Sequence, residues 1–336
     1  MLPGPDFPHS PWWKRSWTYQ EGVLSKRKLV FTDHQVYYVC NGMRAAEIMH
    51  LHDPTLSTPL DASSFTSASS FSEMLWQFTT RSYVSYLSDI SRRALSHPSD
   101  ALNTCLGILK ATNTTHIWGV PTEIQAAKWN HTIALHWRHD GSATRRLGFP
   151  SWSWAGWQGG VNMRDSTVTC AFGAVFVGSR NDSLWQTVHA YISSGRAVRL
   201  AGKDTAPCFL KIRGEVVDAA FLRDQWPDVT DFGYGEENDR PRARFSLAFE
   251  STSALCVLYM DERVESAEEM RDVVALGMGT ESEECCVSAL LLKPSGDVYR
   301  RVGLMRMMCE ASYCCWSRGE HAFWMVASRS RTVIIE

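Results

Sequence analysis

A chain of 336 residues with 34 basic and 36 acidic side chains has a net charge of −2, which gives no field to gather nucleic acid or an anionic membrane surface. No apolar run reaches the roughly 18 residues of a membrane-spanning helix, and Met1–Asp6 lacks the basic flank and apolar stretch of a signal peptide. The length allows one large domain or two ordinary ones, and the expected location is the cytoplasm.

Ser10-Pro11 places a hydroxyl cap and a first-turn proline ahead of Trp13, Trp17, Gln20 and Leu24, which fall at helical spacing. Leu29–Phe31 and Gln35–Cys40 flank the polar Thr32-Asp33-His34 and predict a β-hairpin. Ser57–Ser70, rich in Ser, Thr, Pro and Ala, reads as a surface loop, and Phe71–Ser88 is compatible with a helix. Pro98-Ser99-Asp100 predicts a helix start followed by Leu102, Leu106 and Leu109 at helical spacing. Pro121-Thr122-Glu123 predicts another, carrying Ile124, Ala127, His131 and Leu135.

The densest aromatic stretch is Gly148–Val161, where Trp152 and Trp154 alternate and Trp157 follows an Ala-Gly pair. In an extended segment the first two indoles leave one face. Large rings so clustered read as interior, pinning one layer to another; the alternative is an exposed aromatic platform for a ligand. Downstream, Val168–Val177, Phe209–Phe221, Leu255–Met260, Val287–Leu292, Val298–Met305, Phe323–Val326 and Thr332–Ile335 read as strands, with a turn at Pro294–Asp297. Ser266-Ala267-Glu268-Glu269 is a capping box within an acidic segment, Asp261–Glu284, that reads as a solvated face. The fold class expected is α+β: a mainly helical N-terminal half with a hairpin, then a β-rich half forming an antiparallel sheet or sandwich, divided as 1–147 and 148–336.

Four blocks carry a resemblance. Arg15-Ser16-Trp17-Thr18-Tyr19-Gln20-Glu21, continuing to Phe31, is similar to the R-x-W-T-x-Q-E block of fungal heterokaryon-incompatibility proteins. Ser99–Asn103 with Gly107-Ile108-Leu109, then Phe149-Pro150-Ser151-Trp152-Ser153-Trp154-Ala155-Gly156-Trp157, then Tyr299-Arg300-Arg301-Val302-Gly303, resemble its later blocks in the same order. The residues matched to motif positions are Arg15, Trp17, Gln20, Glu21, Pro150, Trp152, Trp154, Gly156, Trp157, Arg301 and Gly303, read as structural. The resemblance implies a self/non-self recognition context linked to incompatibility cell death. It covers the later part of such a domain, since the L-S-Y-x-W-G and W-I-D patterns expected ahead of the first block are not found, and the forms it allows are a truncated product, a remnant or a short regulatory form. It also implies a second reading, a Toll/interleukin-receptor-like NAD hydrolase with Glu21 as its catalytic glutamate, completed by the missing lobe.

No catalytic or metal set stands out otherwise. Phosphate loops, a G-x-S-x-G elbow and H-E-x-x-H are absent from the sequence. The ten cysteines form no C-x-x-C pair and read as reduced core residues; Cys309, Cys314, Cys315 and His321, or His50 and His52, match no metal spacing. Arg138, Arg145 and Arg146 read as a solvated loop that bonds the tryptophan block's carbonyls, rather than a single-strand binding surface. Gln20 and Glu21 are expected to bond backbone or to pair with Arg15. No cofactor is expected, and the partner implied is a protein or a second copy, docking on the face around Trp12, Trp13 and Trp17.

Overall fold

The computed structural model describes residues 11–31, 36–40, 44–47, 83–125, 130–163, 168–170, 174–179, 184–195, 208–219, 242–249, 252–264, 267–281, 286–309 and 328–336. The chain divides into two compact units, Met1–Asn113 and Thr114–Glu336, so residues 114–147 fold with the strand-rich part rather than with the helical one. Helix and strand are both present, with strand predominating among the described residues: a mixed α+β protein.

The N-terminal unit packs three short helices, α1 (Ser16–Leu24), α2 (Tyr83–Ser91) and α3 (Asn103–Ala111), against one another. A separate antiparallel sheet runs in the order β1 (Arg27–Phe31), β2 (Val36–Cys40), β3 (Arg44–Ala46), as the hairpin pattern predicts. Tyr83, Tyr86, Leu87 and Ile90 recur at helical spacing and are buried, as are Cys105, Ile108 and Leu109. The α1 stripe differs from expectation. Its buried side is Ser16, Thr18, Tyr19, Gly22 and Val23, while Trp17 faces outward. Small hydroxyl and glycine positions let neighbouring backbone approach, which a face of large indoles would prevent. The helix begins at Ser16, with Arg15 as its cap, and residues 11–14 form a turn.

In the second unit the helix expected from Pro121 is instead a β-hairpin arm. Strand β4 (His116–Ile117) turns through Trp118-Gly119 into β5 (Val120–Gln125), which pairs with β6 (Asn130–Ile133). Both turn residues have positive φ, +51° at Trp118 and +79° at Gly119, the sign that a type I′ two-residue hairpin requires at both places. Val120, Thr122 and Ile124 are β-branched at alternate positions, and cross-strand pairing outweighs the proline start signal. Short strands β7 (Arg138–His139), β8 (Thr144–Arg145), β9 (Trp157–Gln158) and β10 (Val161–Asn162) pair as β7 with β10 and β8 with β9.

The remaining strands form one ten-stranded sheet: β11 (Val168–Cys170), β12 (Ala174–Gly178), β13 (Gln186–Thr187), β14 (Phe209–Val217), β15 (Arg242–Phe249), β16 (Thr252–Met260), β17 (Val274–Glu281), β18 (Cys286–Ser295), β19 (Val298–Cys309) and β20 (Ser328–Ile335). Helix α4 (Val188–Ser193) follows β13, capped by Thr187. Because β14 pairs with β17 as well as β20, the path β14-β17-β18-β19-β20 closes on itself. All its pairings are antiparallel except one contact between Tyr299 and Ile335. Leu276, Leu290 and Leu304 stand opposite one another across β17, β18 and β19, and all three are buried. The segment expected as an acidic, solvated face is corrected in part: Val274–Met278 is buried strand and Asp261 is fully buried. The capping-box helix is a single 3-10 turn, Ala267–Met270, and Ser266, Phe71–Ser82 and Phe323–Val326 lie outside the described residues.

Candidate functional site

The tryptophan block is a tight turn rather than an extended segment. Gly148 enters it at φ +92°, and Ser153 caps a 3-10 turn, Trp154–Gly156, by accepting the Ala155 N–H. The turn is tight enough that a Cβ on Gly156 would lie 2.4 Å from the Pro150 carbonyl oxygen. Consequently the indoles do not share one face. Each is buried and each donates its N–H to a different carbonyl: Trp152 to Cys208 at 3.1 Å, Trp154 to Gly119 at 2.8 Å and Trp157 to Ser151 at 2.8 Å. Ser153 Oγ donates to the Trp118 carbonyl at 2.7 Å, so the hairpin turn at Trp118-Gly119 is held at both of its carbonyls by this block. Buried donors so matched carry no desolvation penalty.

Arg301 is the second focus. The β18–β19 register shifts between Leu291, opposite Gly303, and Leu292, opposite Arg301, leaving Val302 as the extra residue of a bulge. The bulge hands the Val302 carbonyl to the Asp261 N–H at 2.9 Å. Gly303 is needed beside it, since a Cβ there would sit 2.6 Å from the Tyr259 carbonyl oxygen. The Arg301 guanidinium lies over the Trp137 ring, 3.2 Å from its centroid. It donates Nε to Asp261 Oδ2 at 2.9 Å, Nη1 to the Leu135 carbonyl at 2.9 Å and Nη2 to the Trp137 carbonyl at 2.5 Å. Burial pulls Arg301 below the ordinary arginine range and the Asp261 carboxylate opposes that pull. Trp137 donates its own N–H to the Trp152 carbonyl at 3.2 Å, and the Arg301 N–H goes to Ser151 Oγ at 3.1 Å. Ser151 Oγ in turn donates to the Glu336 carbonyl, tying the end of β20 to the same block.

Two more arginines grip the turn. Arg145 donates to the carbonyls of Arg146, Gly156 and Phe149, and Arg146 to those of Ala155 and Trp157. Burial lowers Arg146 to about 10. The carbonyl bonding matches the sequence reading, but Arg146 is buried rather than solvated. His139 sits edge-on between Trp137 and Trp157, 5.3 Å and 5.9 Å from their centroids. Its Nε2 is 3.8 Å from Asp261 Oδ1, with both side chains fully buried.

The N-terminal motif residues are used differently. Gln20 Oε1 accepts the Gly107 N–H at 2.7 Å, so the first and second blocks meet there. A Cβ on Gly107 would come 2.8 Å from that oxygen and 2.6 Å from Leu24 Cδ1, so a larger residue there would push those side-chain ends aside. Arg15, Trp17 and Glu21 are exposed, and no ion pair joins Arg15 to Glu21. The anchor of this unit is Arg93, stacked on Trp13 and Tyr19 at 4.5 Å and 4.4 Å and donating to the Trp13 carbonyl. Tyr19 donates its hydroxyl to Asp89 at 2.8 Å.

Pro150, Trp152, Trp154, Gly156, Trp157, Arg301 and Gly303 are therefore brought together, with Trp137, His139, Asp261 and Ser151 as partners the sequence reading did not single out. Only the isolated Trp-Arg-His run at 137–139 gave a local signal; Asp261 is far from it in sequence. Among the described residues no three His, Cys, Asp or Glu side chains are placed to hold a metal ion, and His50, His52, Cys314, Cys315 and His321 lie outside them. No described helix is long and apolar enough to cross a membrane. No protein-family model, no curated protein and no solved structure matches the chain.

Proposed function

We propose that the chain is a cytoplasmic protein of the fungal heterokaryon-incompatibility type, acting in self/non-self recognition through protein contacts rather than through a reaction. The observation that supports this reading is how the resembling blocks are used. The donors of Trp152, Trp154, Trp157 and Arg301 are turned inward onto backbone carbonyls and Asp261, and so serve as internal ties. Trp12 and Trp17, by contrast, are 41% and 37% exposed, an aromatic pair suited to a protein partner or a second copy. A net charge of −2 favours such a partner over nucleic acid.

Induced expression in a filamentous fungus tests it. The expected result is loss of viability that Trp12→Ala/Trp17→Ala abolishes while the purified double variant keeps its melting temperature. NAD added to the purified protein should be unchanged. NAD turnover lost in Glu21→Ala would favour the hydrolase reading, and undiminished growth on expression would remove the incompatibility role.

A further inference from the structure

Two buried polar atoms in the strand-rich unit face one another without a hydrogen-bond partner: His139 Nε2 and Asp261 Oδ1, 3.8 Å apart. The Gly160 carbonyl lies 3.3 Å from His139 Nδ1. A carbonyl only accepts, so Nδ1 carries the ring proton, and the neutral imidazole turns a bare lone pair toward a carboxylate. Asp261 Oδ2 is meanwhile occupied by Arg301 Nε at 2.9 Å, so Oδ1 is the oxygen left to accept. One proton on Nε2 would convert this repulsive contact into a charge-assisted hydrogen bond of about 2.8 Å, closing the gap by about 1 Å.

We propose that His139 and Asp261 form an internal proton-binding site that closes on acidification into a hydrogen-bonded ion pair, fastening β7 to the segment that follows β16. The step adds one proton from solvent to Nε2 and breaks no covalent bond; the Arg301-Asp261-His139 cluster goes from neutral to a charge of plus one. The charged groups facing the ring come from each neighbouring segment. Asp261 follows β16, Arg301 stands on β19, Asp140 follows β7, and the Gly160 carbonyl precedes β10. Burial and Arg301 disfavour the added charge, while Asp261, the Gly160 carbonyl and Asp140 favour it. Burial dominates, so the site fills below the ordinary imidazole range and stays empty in neutral solution. Because Asp261 also holds Arg301, and Arg301 holds the Leu135 and Trp137 carbonyls, the proton acts directly on the ties of the tryptophan block.

The indoles of Trp137 and Trp157 flank the ring and report on it, since an imidazolium quenches indole emission. Tryptophan emission of the full chain should fall in a step with its midpoint below about 6.5. His139→Gln should lack the step, Asp261→Asn should move it lower, and His116→Gln should keep it. In 15N-histidine spectra of the unsubstituted protein, the ring with Overhauser contacts to two indoles should show Nε2 unprotonated at neutral pH and protonated with the same midpoint. This second measurement does not depend on any variant folding. An Nε2 already protonated at neutral pH, one that never titrates before acid unfolding, or a step that survives in His139→Gln would overturn the proposal.

Discussion

The guanidinium of Arg301 lies over the Trp137 ring, 3.2 Å from its centroid, while donating to the carbonyl of the same residue at 2.5 Å. One arginine thus fixes both the ring and the backbone of residue 137, and its third partner, Asp261, is buried with it. Removing Arg301 strands a buried carboxylate. Arg301→Ala is expected to cost about 3–5 kcal/mol, and Arg301→Met/Asp261→Leu considerably less than the sum of its parts. Urea denaturation of the two single variants and the double variant measures this.

Trp154 separates packing from hydrogen bonding. Trp154→Ala should lose about 3–5 kcal/mol as a large buried ring is deleted. Trp154→Phe keeps most of the ring but removes the donor to the Gly119 carbonyl, and about 0.5–1.5 kcal/mol is expected. Near-unchanged melting of the alanine variant would show that the ring contributes no packing.

Two glycines of the block should respond through different causes. Gly156→Ala forces a Cβ into the Pro150 carbonyl oxygen at 2.4 Å, backbone that cannot step aside, and within 2.7 Å of the Arg145 side-chain Nη1, so about 1–3 kcal/mol of overpacking is expected. Gly148 has open space around it, and its alanine variant meets only the conformational cost of φ +92°, about 1–2 kcal/mol. Thermal melts of the two variants, with crystal structures to show which one shifts Pro150, test the distinction.

His116 predicts an acid-sensitive turn. Its Nδ1 accepts the Gly119 N–H at 3.2 Å, a bond that only the unprotonated nitrogen makes, and burial lowers its pKa to about 4 from 6.5. Between those values the unfolded chain binds the proton and the folded chain does not. Stability from this group is therefore complete above 6.5 and falls as pH drops toward about 4, by on the order of 3 kcal/mol at most. Urea midpoints from pH 7.5 down to pH 4 should fall less steeply in His116→Gln; parallel curves would refute the assignment.

In the N-terminal unit, Gln20→Ala removes the side-chain acceptor that the Gly107 N–H shares with its helical carbonyl, and about 0.5–1.5 kcal/mol is expected from the lost tie between the two helices. Amide exchange read by mass spectrometry should accelerate in the peptide carrying Gly107. Glu21→Ala, an exposed change one residue on, should leave that peptide unaltered.

Local pattern was enough to read much of this protein. The α1–β1–β2 order, the helix that follows Pro98 and the strands β14, β16, β18, β19 and β20 were legible, because burial on one face imposes a period of two or about 3.6 on the sequence; β15 and β17 were not. The interior placement of Trp152, Trp154 and Trp157 followed from their bulk alone. Tertiary structure decided the rest. The run after Pro121 became strand because its pairing partner lay a few residues on. The pairing of Arg301 with Asp261 across 40 positions, and with Trp137 across 164, depends on a bulge that only strand register creates. Charges far apart in a chain look alike whether solvated or buried; which of them must meet is settled when the sheet closes and withdraws them from water.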